Sequence, residues 1–392
     1  MRIREPFSLR SSLALKRLRF WPRYGRRKLT KTFCFLGFLV LAAYLWITPL
    51  VPLSWQEADL SHIVRVIADF QDFPTDGLND ATRVAILEKI FGAKEEFSAM
   101  ETRNAAAIIV TKSLLKSRRK ASHDYYPQFF HKLQTLESLL DEQPSVLEVA
   151  RMLNIFRPIL TQSEKSQLLM AFDAFTSLCD AAGVTYFLLE ASLMGVRRHH
   201  GMIPWDDDID VVVNASQWEI LHAVLSSVPG FELFAPHDVQ WKFYVNTSKP
   251  FPDKPFKFPY LDIFFFKEDE YFVWAITQGL KHDVVHRKQD IFPLLRRPFE
   301  GRLVPVPHNL PLLVDDSHDV NECITGEYNH KTNEVFYYSG KVSVPCSYLR
   351  DVYPFVDREV KSRAVVEETL RVGRRVVHQL AFSEIVIADR NW

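Results

Sequence analysis

Between Gly201 and Val213 the chain reads GMIPWDDDIDVVV, which sets four carboxylates in five positions directly ahead of a β-branched apolar run. The valines favour a buried strand. The acids resist one, because like charges repel and loss of water raises the cost further. Any fold this chain adopts must therefore bury Val211, Val212 and Val213 while giving the carboxylates either solvent or a compensating cation.

An extended DIDVVV segment puts Asp208 and Asp210 on one face and Ile209, Val211 and Val213 on the other, and Asp206 joins the acids if the strand reaches that far. Carboxylates repeating at about 7 Å along a strand face suit a hard divalent cation such as Mg²⁺ or Mn²⁺, with water or phosphate completing the shell. A calcium-binding EF-hand loop fails on spacing. With Asp208 at its first position, Val212 and Val213 fall where a ligand and the obligatory glycine belong. Downstream, PYLDIFFFKED places Asp262 among Tyr260, Leu261, Ile263 and Phe264, a poor setting for an unpaired acid. Two readings compete: solvated acids and a strand salt bridge, or a pair of carboxylates plus one from a neighbouring strand, the provision for metal-assisted phosphoryl or nucleotidyl transfer.

The surrounding pattern predicts an α/β or α+β fold. SEKSQLLMAFDAFTSLCDAAG reads as a helix opening at Ser163 and closing on Gly183, and VTYFLLEAS, IDVVV, WKFYV and LDIFFF read as short buried strands. SQWEILHAVLSSV reads as a helix stopped by Pro229 and Gly230, and the charged DREVKSRAVVEETLRVGRRVVHQL as a late amphipathic helix. Helices interleaved with short buried strands build layers rather than bundles. Residues 54–160 lack strand signals and read as a helical stem. Within it LSHIVRVIADF and FFHKLQTLESLL have helical spacing, and KSLLKSRRKASHDYY reads as a loop.

Charge is unevenly placed. Residues 1–32 hold eleven basic residues against Glu5 alone, leaving 37 basic and 47 acidic residues in the remainder, a poor balance for nucleic-acid binding. The run Phe33–Leu53 carries no charge and is long enough to cross a bilayer, longer than the apolar stretch of a signal peptide. With the eleven basic residues of the arm on its N-terminal side, the expected topology is a single-pass type II signal-anchor, with the following domain luminal. Cys34 lies in this run, so Cys179, Cys323 and Cys346 are left to form at most one intramolecular disulfide. The tripeptides NAS at Asn214 and NTS at Asn246 are glycosylation acceptors only if that side is luminal.

LLEASLMGVRRHHG ends a strand and starts a helix near Ser192, whose hydroxyl can cap it and whose backbone N–H groups favour a phosphate. Arg197, Arg198, His199 and His200 follow. The whole stretch YFLLEASLMGVRRHHGMIPWDDDIDVVV resembles the signature of the LicD/fukutin family of phosphotransferases, and the likeness extends to LDIFFF but not to residues 1–160. The resemblance implies a nucleotidyltransferase-like catalytic domain over 161–392. It implies Asp206, Asp208, Asp210 and Asp262 as metal and donor-phosphate acids, Ser192 and Gly195 as the phosphate turn, and Arg198, Trp205 and His200 as donor or acceptor contacts, with His200 or a carboxylate as base. It further implies a nucleotide-activated donor of phosphoribitol, phosphocholine or mannose phosphate and a glycan or glycoprotein acceptor; the expected location, taken separately from the resemblance, is the Golgi membrane. One departure is Ala191, where relatives usually carry glycine; its methyl stands where backbone should approach phosphate. The alternatives are an Asp-x-Asp glycosyltransferase using a nucleotide sugar, and a non-catalytic member that scaffolds glycosylation enzymes.

Overall fold

The computed structural model describes residues 73, 78–92, 98–116, 126–138, 147–237, 240–277, 280, 284–315, 319–335, 341–362 and 365–383. The basic arm, the expected anchor Phe33–Leu53 and the expected helix LSHIVRVIADF lie outside them. Among the described residues no helix is long and apolar enough to cross a membrane.

Five helices precede the sheet: α1 (Asp80–Phe91), α2 (Ala99–Arg103), α3 (Ala105–Lys116), α4 (Tyr126–Ser138) and α5 (Leu147–Ile155). The segment KSLLK, expected to be loop, is the last part of α3. Helix α6 (Gln162–Ala182) is capped by Thr161, two residues before the expected opening at Ser163. Thr161 and Glu164 form its capping box, each side chain accepting from the other's backbone N–H. Gly183 closes the helix at φ 69°, a conformation only glycine adopts without strain. Leu168, Phe172, Phe175 and Leu178 of α6 are fully buried and anchor the main core.

After α6 come β1 (Tyr186–Leu188), α7 (Glu190–His199), β2 (Ile209–Asn214), α8 (Trp218–Leu225), β3 (Phe231–Phe234), β4 (Trp241–Val245), β5 (Leu261–Glu268), β6 (Phe272–Ala275) and β7 (Val285–Arg287). They form one seven-stranded mixed sheet in the order β1-β2-β5-β4-β3, with β6 pairing β5 and β7 pairing β6. Only β2 and β5 run parallel. The four apolar runs read from the sequence as strands are β1, β2, β4 and β5.

Alternation sorts the side chains as the β-strand period requires. Ile209, Val211, Val213, Ile263 and Phe265 face the core built on α6. Val212, Phe264 and Phe266 face a second layer with Phe187, Val273 and Ile291. Asp210 and Asp262 have the parity of this second face, at the N-terminal ends of their strands.

A third core joins Phe129, Leu133, Leu153 and Phe156 from the helical region before residue 160 to Trp205, Cys323, Cys346, Leu349 and Tyr353. Residues on either side of position 160 thus share a core, and Arg65–Trp392 forms one compact unit. Cys323 and Cys346 are disulfide-bonded, and Cys179 is a buried free thiol.

The expected late helix is a correction. Residues 355–383 form a three-stranded antiparallel sheet of β8 (Phe355–Ser362), β9 (Val365–Val372) and β10 (Arg375–Ser383). Valine-rich alternation outweighs the charge spacing that resembled a helix face. Gly373, at φ 54°, makes the β9–β10 turn.

Candidate active site

The parallel pairing of β2 with β5 sets Asp210 and Asp262 as register partners. Ligand oxygens of Asp208, Asp210 and Asp262 all lie within 4.8 Å of one another. Asp208 and Asp262 are buried. Burial first, and then the neighbouring carboxylates, push Asp208 and Asp210 well above the ordinary carboxylate range. Three hard oxygen donors converging without enough positive charge fit a divalent cation of the Mg²⁺ or Mn²⁺ type.

Two side chains supply part of the missing charge. Lys242 on β4 places Nζ 2.5 Å from Asp262 Oδ1 and 3.8 Å from the Tyr260 ring centroid. His330 lies outside the regular strands of the main sheet, with Nδ1 2.9 Å from Asp207 Oδ1 and Nε2 3.1 Å from Asp208 Oδ2. Burial alone would lower the His330 pKa, but its hydrogen bond to Asp207 and the charges of Asp208, Asp207 and Asp262 raise it to about 9. In the absence of a metal the imidazole is therefore a cation held between two acids. Asp207, Asp208 and His330 form a second group able to hold a metal.

Asp206 stands apart from both groups, at the wall of a cavity of about 320 Å³. Burial, then the charge of Asp207, raise its pKa to about 7. Arg198 and Trp205 line the same cavity, as do Glu190 and Ala191. Arg198 is fixed by donating to the Glu322 carbonyl at 3.0 Å, and burial lowers its pKa to about 10. Trp205 donates from Nε1 to the Ile324 carbonyl at 2.9 Å.

Ser192 does not cap its helix. Helix α7 begins at Glu190 with Leu189 before it, and Ser192 Oγ instead accepts from the Asp210 backbone N–H at 2.9 Å. The hydroxyl thus ties the helix start to the acid strand. Gly195 permits a close approach, since a Cβ there would collide with the Gly201 carbonyl. His200 is turned elsewhere: its Nε2 lies 2.8 Å from Glu368 Oε2 on β9, and it is not part of the cavity lining. The residue with positive φ at this turn is Glu190, at 47°, rather than Ala191, so the strain sits one position earlier than the glycine comparison implied.

Two functional candidates escaped the sequence reading. Asp207 has the opposite strand parity from Asp208, and His330 lies 123 residues further along. The local signal that existed was the lone Lys242 in WKFYV, a base in a buried strand that needs an acid partner.

Residues 183–309 match the LicD/FKTN/FKRP nucleotidyltransferase domain. This stretch of the chain is similar to LicD-type domains. A relative, the lipopolysaccharide cholinephosphotransferase LicD of Haemophilus influenzae, is 43% identical over 47 residues, which are 12% of this chain and 18% of that protein. The LicD match contains the Asp208–Asp210–Asp262 group, Lys242 and Ser192. His330 and the cavity wall formed by Glu322, Ile324, Thr325 and Lys341 lie beyond it.

Proposed function

We propose that this chain is a metal-dependent phosphotransferase that moves a phospho-alcohol or phosphosugar group from a nucleotide-activated donor to a glycan or glycoprotein acceptor. The observation that carries this reading is the convergence of Asp208, Asp210 and Asp262 within a LicD-type domain. The relative's cholinephosphotransferase activity supports the class of group transferred. A divalent cation bound by these carboxylates supplies neutralisation of charge on the phosphate oxygens.

The chain's own groups account for the rest. Lys242 holds one oxygen of Asp262 and so fixes the direction of that carboxylate. Arg198 and Trp205 form the cavity floor against which a nucleotide or its phosphates would rest. Asp206 at the cavity wall, with its pKa near neutrality, is suited to accept the proton of an attacking hydroxyl. His200, occupied by Glu368, serves better to anchor the C-terminal sheet.

A luminal setting on a type II anchor, in the Golgi membrane, belongs to the same proposal. It is supported by the basic arm before the uncharged Phe33–Leu53 run and by the Cys323–Cys346 disulfide, a bond typical of oxidising compartments.

Calorimetric titration of the detergent-solubilised full chain with CDP, UDP and GDP, with and without Mn²⁺, tests the reading. Binding that needs Mn²⁺ and is lost in Asp208→Asn is expected; a preference for CDP points to a phospho-alcohol donor, and one for GDP or UDP to a sugar-bearing donor. A folded protein that binds none of the three would overturn it.

A further inference from the structure

The segment closed by Cys323 and Cys346 brings a histidine to the acid cluster from outside the LicD match. The imidazole of His330 is fixed on several sides. Its Nδ1 meets Asp207 Oδ1 at 2.9 Å, and the rings of Tyr328 and Tyr260 approach it edge-on at centroid distances of 4.9 and 6.2 Å. Asp207 is itself fully used, because its second oxygen accepts the Lys331 backbone N–H at 3.2 Å. A carboxylate bound to one imidazole nitrogen commonly orients the other nitrogen toward a metal. Here that other nitrogen, Nε2, lies 3.1 Å from Asp208 Oδ2. In an octahedral shell with bonds of about 2.1 Å, neighbouring ligand atoms are about 3 Å apart. The two atoms thus already have the separation of adjacent ligands on one cation.

We propose that His330 Nε2 and Asp208 form a nitrogen-containing metal position, with Asp207 as the residue that orients the imidazole. A cation entering there displaces the Nε2 proton to solvent, as metal binding at histidine does. Asp208 is then shared with the group that contains Asp210 and Asp262. An imidazole ligand favours Mn²⁺, Co²⁺ or Zn²⁺ over Mg²⁺, which prefers oxygen. The inference rests on the metal-dependent reading above, and it assigns to the disulfide-closed segment a ligand that the matched domain lacks.

The test is pulsed electron paramagnetic resonance of Mn²⁺ bound to the metal-free full chain in detergent, read for directly bonded nitrogen. A ¹⁴N modulation is expected in the wild type, replaced by a ¹⁵N pattern when histidine is ¹⁵N-labelled. It is expected to vanish in His330→Gln and persist in Asp262→Asn. Asp207→Asn should keep the modulation while weakening Mn²⁺ binding at this position by about 10–100-fold. Mn²⁺ that binds through Asp208 without any nitrogen signal, or a signal unchanged in His330→Gln, overturns the inference and leaves the phosphotransfer reading intact. Absence of Mn²⁺ binding altogether overturns both. The labelled wild type decides the matter even if the His330 variant does not fold.

Discussion

Lys242 and Asp262 face each other as register partners across β4 and β5, with Nζ 2.5 Å from Oδ1 and both residues buried. The pair closes one side of the acid cluster with a covalently tethered positive charge. Among the described residues Asp210, the partner of Asp262 on its other side, has no such tether. Internal cations thus meet Asp262 through Lys242 and Asp208 through His330, with Asp210 between them.

Removing the lysine should expose that dependence. Lys242→Met leaves Asp262 buried and unpaired, and a broken buried pair of this kind costs about 3–5 kcal/mol. Urea unfolding of the full chain checks it. The double variant Lys242→Met/Asp262→Asn should recover most of the loss, since neither charge then remains; a double variant no more stable than Lys242→Met alone would show that the contact of the Lys242 ammonium with the Tyr260 and Phe256 rings dominates instead.

Asp206 carries a pH signature with a defined sign. Its folded-state pKa is about 7 against an ordinary 3.8, so the folded state holds a proton that the unfolded chain releases. The associated stability is fully present below about pH 4 and is lost as pH rises through about 7. Asp206→Asn should therefore match the metal-free wild type near pH 4 and exceed it at pH 8, by on the order of 1–2 kcal/mol where solvent screens part of the effect. Thermal denaturation across that pH range, with chelator present, reads the difference.

The disulfide should be worth about 3 kcal/mol from the chain entropy of the loop it closes, whose ends are 23 residues apart. Reduction, or Cys323→Ser with Cys346→Ser, is expected to lower the Tm and weaken nucleotide binding together, because Glu322, Ile324 and Lys341 form one wall of the cavity. Thiol titration of the unreduced, denatured chain should find two of its four cysteines free.

The luminal assignment predicts one glycan and names its position. Asn246 is exposed, and its side chain makes no hydrogen bond among the described residues. The Asn214 side chain is occupied, accepting from Ser216 N and Oγ at 3.0 and 2.8 Å and donating to Glu268 Oε1 at 3.2 Å. Endoglycosidase treatment of the protein made in eukaryotic cells should shift its mobility, and Asn246→Gln, but not Asn214→Gln, should remove that shift. An unshifted wild type would count against the luminal topology if an acceptor tripeptide added to an exposed loop also stays unmodified, and against Asn246 alone if that one is modified.

The sequence was most informative where burial and chemistry collide locally. Asp210 and Asp262 could be read because each stands among apolar strand residues, and strand parity puts them on a common face; Asp208 lies just ahead of β2. Parity also explains what was missed. Asp207 points away from Asp210 in an ideal strand, yet the chain from Ile203 to Asp208 is not part of β2, so alternation does not govern it. His330 had no local pattern at all; its place comes from the path of the chain between Cys323 and Cys346. Ser192 was read as a helix cap in a phosphate turn, whereas its hydroxyl serves the acid strand and not the helix end. The late sheet was misread because charges at helical spacing hid the valine alternation, although Gly373 marked the turn.

The Cys323–Cys346 bond gives the candidate site a second, separately anchored wall. The sheet, its acids and Lys242 lie in the segment shared with LicD relatives, whereas one wall of the cavity and His330 arrive on a loop stapled at its two ends. A stapled loop keeps its footing while its interior residues change, so selection can rewrite what the cavity admits without disturbing the carboxylates beneath it. Divergence in substrate among proteins built this way should accumulate between the two cysteines sooner than within the sheet.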